Sequence, residues 1–250
     1  MNSPLIWAHR GASAYAPENT LRAFQKAVDM RADGIELDVQ MTKDGYLVVI
    51  HDETVDRVSD GKGWVRDLTY RELLKLNVNK KFPELGRINI PTLEEVYLLV
   101  KDSNLTVNVE LKNGIVFYEQ LENKVMELAA VTGMEERVIY SSFNHFSVMK
   151  LKELNPSVRT GFLYGDGYLD MPEYAQKHHV DALHPAFYNL QYPGFIPECK
   201  QRGIQLRVWT VNREEDMVRL CEAGVDVIIT NFPDIGRKVV DAYAGEKCIG

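Results

Sequence analysis

Short β-branched and apolar runs alternate with amphipathic stretches along all 250 residues. Runs that read as strands begin near Leu5, Gly34, Leu105, Arg137, Val158, Asp181, Ile204 and Val225. Apolar positions spaced three and four apart predict helices over Thr20–Ala32, Leu93–Lys101, Val116–Val131, His145–Leu154, Met171–His179, Gly194–Arg202, Glu214–Ala223 and Asp234–Ala242. Thr92 with Glu95 reads as a capping box before one of them, and Asn212 with Glu215 is a weaker example. Gly133, Gly203 and Gly224 stand where helices should stop.

Eight strand–helix units predict an α/β fold, a (β/α)8 TIM-type barrel in which the last strand closes on the first. An open doubly wound sheet is the alternative, but the first strand is not followed by Gly-x-Gly-x-x-Gly. The second and third strands begin 71 residues apart, where about 30 suffice for one unit. The excess predicts a small insertion after strand 2, about residues 52–90, within a single domain spanning residues 1–250. A loop after a barrel strand emerges at the face where such folds keep their chemistry, so the insertion should be a lid or side wall. It holds a turn at Asp60-Gly61-Lys62-Gly63, and Thr69 with Glu72 predicts a short helix through Leu76.

Strand two, Gly34-Ile35-Glu36-Leu37-Asp38-Val39-Gln40, alternates strictly. Period two puts Glu36 and Asp38 on one face, about 7 Å apart along the strand. In a barrel that face points inward, where bare charge is too costly to bury. On the neighbouring strand, Glu110 and Lys112 share a face in the same way. Three converging carboxylates form a hard oxygen site suited to Mg²⁺ or Ca²⁺. The competing reading is a buried salt bridge from Lys112 to these acids.

His9 closes the first strand, and His51-Asp52 closes the run from Tyr46 to Ile50. Each is either a hydrogen-bonded structural residue or half of an acid–base pair. Phosphodiester hydrolysis needs one group to take a proton and another to give one, and imidazoles suit both tasks. Arg10 and Lys112 would neutralise the phosphate. Trp209, at the end of strand seven, is equally an apolar wall or a core residue, and Phe143 is a weaker case of the same. Asn19 reads as the N-cap of the first helix, with Glu18 bracing the site from behind. His184 ends strand six with no role attached.

Composition narrows the partners. Apolar residues make up 45% and charged ones 26%, ordinary for a globular chain, with a formal charge of −7. That balance, without a basic run, argues against nucleic acid and against an anionic membrane surface. No apolar run is long enough to span a bilayer and no leader peptide is visible, so the expectation is a cytoplasmic protein. Cys199, Cys221 and Cys248 lack ligand spacing and read as reduced thiols.

The series His9-Arg10-Gly11, Pro17-Glu18-Asn19-Thr20, Glu36-Leu37-Asp38-Val39, His51-Asp52, Glu110-Leu111-Lys112 and Trp209-Thr210-Val211-Asn212 resembles the glycerophosphodiester phosphodiesterase family from His9 to Asn231. The resemblance implies a TIM-type barrel that hydrolyses glycerophosphodiesters to sn-glycerol 3-phosphate and an alcohol. It implies a divalent metal, Mg²⁺ or Ca²⁺, on Glu36, Asp38 and Glu110, with His9 and His51 as the acid–base pair. Arg10 and Lys112 would hold the phosphate, and Trp209 and Phe143 would wall the glycerol side. Two alternatives stand beside it. One is a lysophospholipase D-type phosphodiesterase whose acyl entrance is built from Trp64, Leu68, Leu73, Leu74 and Leu76. The other is a non-catalytic barrel that binds a phosphorylated ligand. The preferred alcohol is open, as is the choice between monomer and homo-oligomer.

Overall fold

The computed structural model describes residues 3–247. Within them the strands are β1 (Leu5–His9), β2 (Gly34–Met41), β3 (Leu47–Val49), β4 (Thr106–Leu111), β5 (Val138–Ser142), β6 (Arg159–Tyr164), β7 (Ala182–Pro185), β8 (Gln205–Val208) and β9 (Val227–Thr230). All but β3 run parallel and close into an eight-stranded barrel, because β1 pairs with both β2 and β9. The helices are α1 (Leu21–Asp29), α2 (Tyr70–Leu73), α3 (Leu93–Val100), α4 (Leu121–Thr132), α5 (His145–Leu154), α6 (Met171–Lys177), α7 (Phe195–Gln201), α8 (Glu214–Ala223) and α9 (Pro233–Lys247). No helix among the described residues is long and apolar enough to cross a membrane.

The alternation in β2 accounts for the closed wall. Ile35, Leu37 and Val39 are fully buried in the layer beneath the helices, while Glu36, Asp38 and Gln40 occupy the other face and are buried too. Register then sets the chemistry: His9 lies opposite Glu36, and Asp38 opposite Glu110. The charged positions of β1, β2 and β4 therefore meet at one end of the barrel.

Several local expectations need correction. The sheet has a ninth strand, β3, which turns back antiparallel on β2 and pairs Val39 with Val49. Thr20, not Asn19, caps α1: its side chain accepts from the Ala23 N–H. Helix α4 begins at Leu121 rather than Val116, after Gln120 in the left-handed region. Val116 and Tyr118 are buried from the preceding loop, and Tyr118, three positions before Leu121, extends the helix's apolar spacing backwards. Helix α8 has no side-chain cap; Asn212 instead accepts from the Asn231 N–H. Both Thr–Glu capping boxes, at Thr69 and Thr92, are formed.

The chain between β3 and α3 folds over a small core of its own, with Ile50, Val55, Val65, Leu73 and Ile90 buried. Leu73 is fully inside, and Leu68 and Leu76 pack against the same cluster. Leu68, Leu73 and Leu76 are thus engaged in packing, whereas Trp64 and Leu74 of the same segment are exposed.

Candidate functional site

The turn that ends β1 builds the rim of the barrel. Arg10 and Gly11 both adopt positive φ, 56° and 78°. Gly11 is obligatory, since a side chain there would collide with Ala23 of α1. The turn aims the Arg10 N–H at Glu36 Oε2, 3.0 Å away. The Arg10 guanidinium donates to Glu18 Oε1 at 2.9 Å and lies 3.3 Å from Asp38 Oδ2. Asn19, freed from capping, donates to Asp38 Oδ2 at 2.8 Å. On the other side Lys112 donates to Glu110 Oε1 at 2.9 Å, with its ammonium 3.9 Å from Asp38 Oδ1.

Glu36, Asp38 and Glu110 each bring a carboxylate oxygen to within 4.8 Å of the other two, and all three residues are buried. Such a trio suits a hard divalent cation. Its electrostatics show the strain of crowding. Burial and the charges of Asp38 and Glu110 push the Glu36 carboxyl well up. Burial and Asp38 raise Glu110 as well. Asp38 is held far below the usual range, because Arg10 and Lys112 outweigh its burial.

Both histidines sit at this rim with Nδ1 already engaged. His9 Nδ1 lies 2.7 Å from Asn231 Oδ1, an acceptor that also receives the Ser13 hydroxyl at 2.9 Å. His51 Nδ1 lies 2.6 Å from Asp52 Oδ1. With amide and carboxylate oxygens as partners, each ring places its proton on Nδ1 and keeps Nε2 for other contacts. His9 Nε2 is 3.9 Å from Glu36 Oε2. Burial and the neighbouring Arg10 lower the His9 pKa to about 4.

Arg57, from the segment after β3, ties the rim together. It donates to Asp52 Oδ2 at 2.6 Å and to the two Glu18 oxygens at 2.8 and 2.7 Å. Glu18 thus accepts from Arg57 as well as from Arg10. Neither Arg57 nor Asn231 stood out in the sequence. Asn231 directly follows β9, a position that marks it once the barrel is known.

Inside the rim is a cavity of about 170 Å³, lined by His9, His51, Glu36, Glu110, Phe143 and Trp209 among others. Trp209 meets Phe143 edge-on at 5.6 Å and donates from Nε1 to the His184 carbonyl at 2.7 Å. Beyond Phe143, which is half exposed, an open groove of about 910 Å³ runs between the loops after β5 and β6. His9, Arg10, Glu36, His51, Glu110, Phe143 and Trp209 thus line one cavity, and Asp38 and Lys112 join its carboxylates through Arg10 and Glu110.

An acidic cluster and two histidines thus gather at the carboxyl end of a parallel barrel, the end at which such folds carry their active sites. The model of the glycerophosphoryl diester phosphodiesterase family matches residues 9–235. A glycerophosphodiester phosphodiesterase of Caldanaerobacter subterraneus is 47% identical over 231 residues, covering 92% of this chain and 95% of that protein. Among solved structures, a phosphodiesterase of Oleispira antarctica in complex with the product sn-glycerol-3-phosphate superposes with a TM-score of 0.85 at 26% identity, covering 96% of this chain and 97% of that one. A glycerophosphodiester phosphodiesterase of Agrobacterium tumefaciens gives 0.82 at 29% identity, covering 94% and 99%. The chain belongs to the glycerophosphoryl diester phosphodiesterase family.

Proposed function

We propose that this chain hydrolyses glycerophosphodiesters to sn-glycerol 3-phosphate and an alcohol, with one divalent cation, Mg²⁺ or Ca²⁺, held by Glu36, Asp38 and Glu110. The observation that carries the reading is the trio of buried carboxylate oxygens within 4.8 Å of one another, in residues at the same mouth as His9 and His51. The donor set fits such an ion. All three ligands are hard oxygens, and Asp38 Oδ1 is buried without a hydrogen-bond partner. Charge fits too: Arg10 and Lys112 leave one of the three negative charges uncompensated. When bound, the cation would polarise a phosphoryl oxygen and offset its charge.

The remaining work falls to side chains. Arg10 has donors beyond the one given to Glu18, and with Lys112 it would receive the phosphate oxygens. Trp209 and Phe143 would wall the glycerol. His9, partly buried and backed by the Asn231 amide, suits the neutral, proton-accepting role. His51, backed by the Asp52 carboxylate, suits proton donation to the leaving alkoxide. Glu18 and Asn19 would hold Arg10 and Asp38 in place from behind. The groove beyond Phe143 leaves room for the alcohol.

On this reading the whole chain acts as one barrel domain on a small-molecule diester, and the segment of about residues 52–90 serves as a side wall through Arg57. The buried thiols Cys199 and Cys221 suit a cytoplasmic setting; Cys248 lies outside the described residues. The test is a panel of glycerophosphodiesters assayed with Mg²⁺ and with Ca²⁺. Release of sn-glycerol 3-phosphate is expected. Turnover of lysophosphatidylcholine in preference to glycerophosphocholine would favour the lysophospholipase D alternative instead.

A further inference from the structure

Beneath the charged rim, the same cavity is lined by two buried polar side chains that the chemistry above leaves unused. His184, on β7, is fully buried, and Asn108, on β4, is 1% exposed; both line the cavity. Arg207, on β8, sets Nη1 3.2 Å from His184 Nε2. A guanidinium only donates, so Nε2 must accept and the ring proton must sit on Nδ1. Burial, reinforced by the charge of Arg207, keeps this imidazole neutral by pushing its pKa far down. Arg207 is itself fixed, by a hydrogen bond to Gln205 at 2.7 Å and by the Trp7 ring 5.4 Å away.

The result is a defined pair of idle atoms. His184 Nδ1 carries a hydrogen and has no partner within the protein. Asn108 Nδ2 donates to the Ser141 hydroxyl at 3.0 Å, which leaves Asn108 Oδ1 as an acceptor, also without a partner. Buried polar atoms are rarely left so. The pair offers one neutral donor and one acceptor, a poor match for a phosphate, which is drawn to Arg10 and Lys112. It matches a group that can both give and receive a hydrogen, which is a hydroxyl.

We propose that Asn108 and His184 read the hydroxyl groups of the polyol half of the substrate. A glycerol hydroxyl donates to Asn108 Oδ1, a glycerol oxygen accepts from His184 Nδ1–H, and Arg207 fixes the tautomer that makes this possible. The inference rests on the function proposed above and deepens it: the phosphate is recognised at the rim and the polyol at the floor. Leu163 and Ile229, which line the same cavity, offer no competing polar contact. Selectivity follows, because a site built to bond a hydroxyl leaves its own buried atoms unpaired when the ligand lacks one.

Calorimetric binding of sn-glycerol 3-phosphate and of n-propyl phosphate to the full chain with Mg²⁺ tests this. The wild type should prefer the glycerol compound by at least about tenfold. Asn108→Leu and His184→Leu should each reduce that preference by about tenfold, while propyl phosphate binding stays within about threefold of wild type. A merely structural role would weaken both ligands together. Equal binding of the two phosphates by the wild type overturns the inference without any variant, so a variant that fails to fold does not shelter it. Preference that survives in a folded variant removes that residue as a reader. Glycerophosphodiester hydrolysis without hydroxyl preference defeats this inference alone; no hydrolysis and no binding of either phosphate defeats the functional reading together with it.

Discussion

Replacing Glu36 with Gln should stabilise the cation-free protein while destroying its activity. Glu36 is buried with two other carboxylates, and the three oxygens lie within 4.8 Å of one another. At an effective dielectric near 20, one such repulsion costs about 3 kcal/mol. Arg10, 3.3 Å from Asp38, and Lys112, 2.9 Å from Glu110, offset part of it. A net relief on the order of 1–2 kcal/mol corresponds to roughly 2–8 °C in Tm for a chain of this size. Gln retains an oxygen to accept the Arg10 N–H, so the local geometry survives the change. The sign depends on pH. The folded Glu36 carboxyl is raised above its ordinary value of 4.5, so wild-type stability falls as pH rises from there towards the folded value. The gain from Glu36→Gln should therefore appear at pH 7 and vanish near pH 4. Thermal melts in EDTA at both pH values measure it, and repeating them with Mg²⁺ should raise the wild-type Tm but not the variant's. A variant less stable than wild type in EDTA at pH 7 would refute the electrostatic reasoning.

Other outcomes follow from the same geometry. EDTA should abolish hydrolysis of glycerophosphocholine and added Mg²⁺ or Ca²⁺ should restore it; full activity in EDTA would count against a cation at the carboxylate trio. His9→Ala and His51→Ala should each lower kcat by at least about 100-fold, and a loss under about tenfold for either would remove it from proton transfer. Glu18 and Asp52 are both held at about 2, because hydrogen bonds and charge from Arg57, joined at Glu18 by Arg10 and at Asp52 by His51, outweigh their burial. Their contribution to stability is present above the ordinary carboxyl range and is lost as pH falls towards 2. Arg57→Ala should flatten the fall of Tm between about pH 4.5 and 2, and an unchanged acid profile would contradict the role given to that arginine.

The barrel and the gathering of most candidate residues at one end of it were legible because they are written in short-range pattern. Glu36 and Asp38 share a face by strand periodicity, and His9, Trp209 and Phe143 lie at strand ends, so the fold alone brings them together. Helix starts were less legible where another packing mode imitates the signal. Val116 and Tyr118 are buried by a loop, and Asn19 resembles a cap but serves Asp38 while Thr20 does the capping. The run from Tyr46 to Ile50 was visible, but as a uniformly apolar stretch it gave no sign that its three-residue strand β3 turns back antiparallel on β2. The supporting contacts were not legible at all, since they join residues far apart in the chain. Asn231 reaches His9 across 222 positions, Arg57 reaches Glu18 across 39, and Arg207 reaches His184 across 23. Only the closed barrel makes those residues neighbours.

The most direct measurement is anomalous diffraction from crystals of the protein soaked in Mn²⁺. The account predicts one peak at the barrel mouth, about 2.1–2.5 Å from an oxygen of each of Glu36, Asp38 and Glu110, with His9 and His51 facing the open coordination positions. A peak bound elsewhere, or one touching fewer than two of these carboxylates, would contradict it.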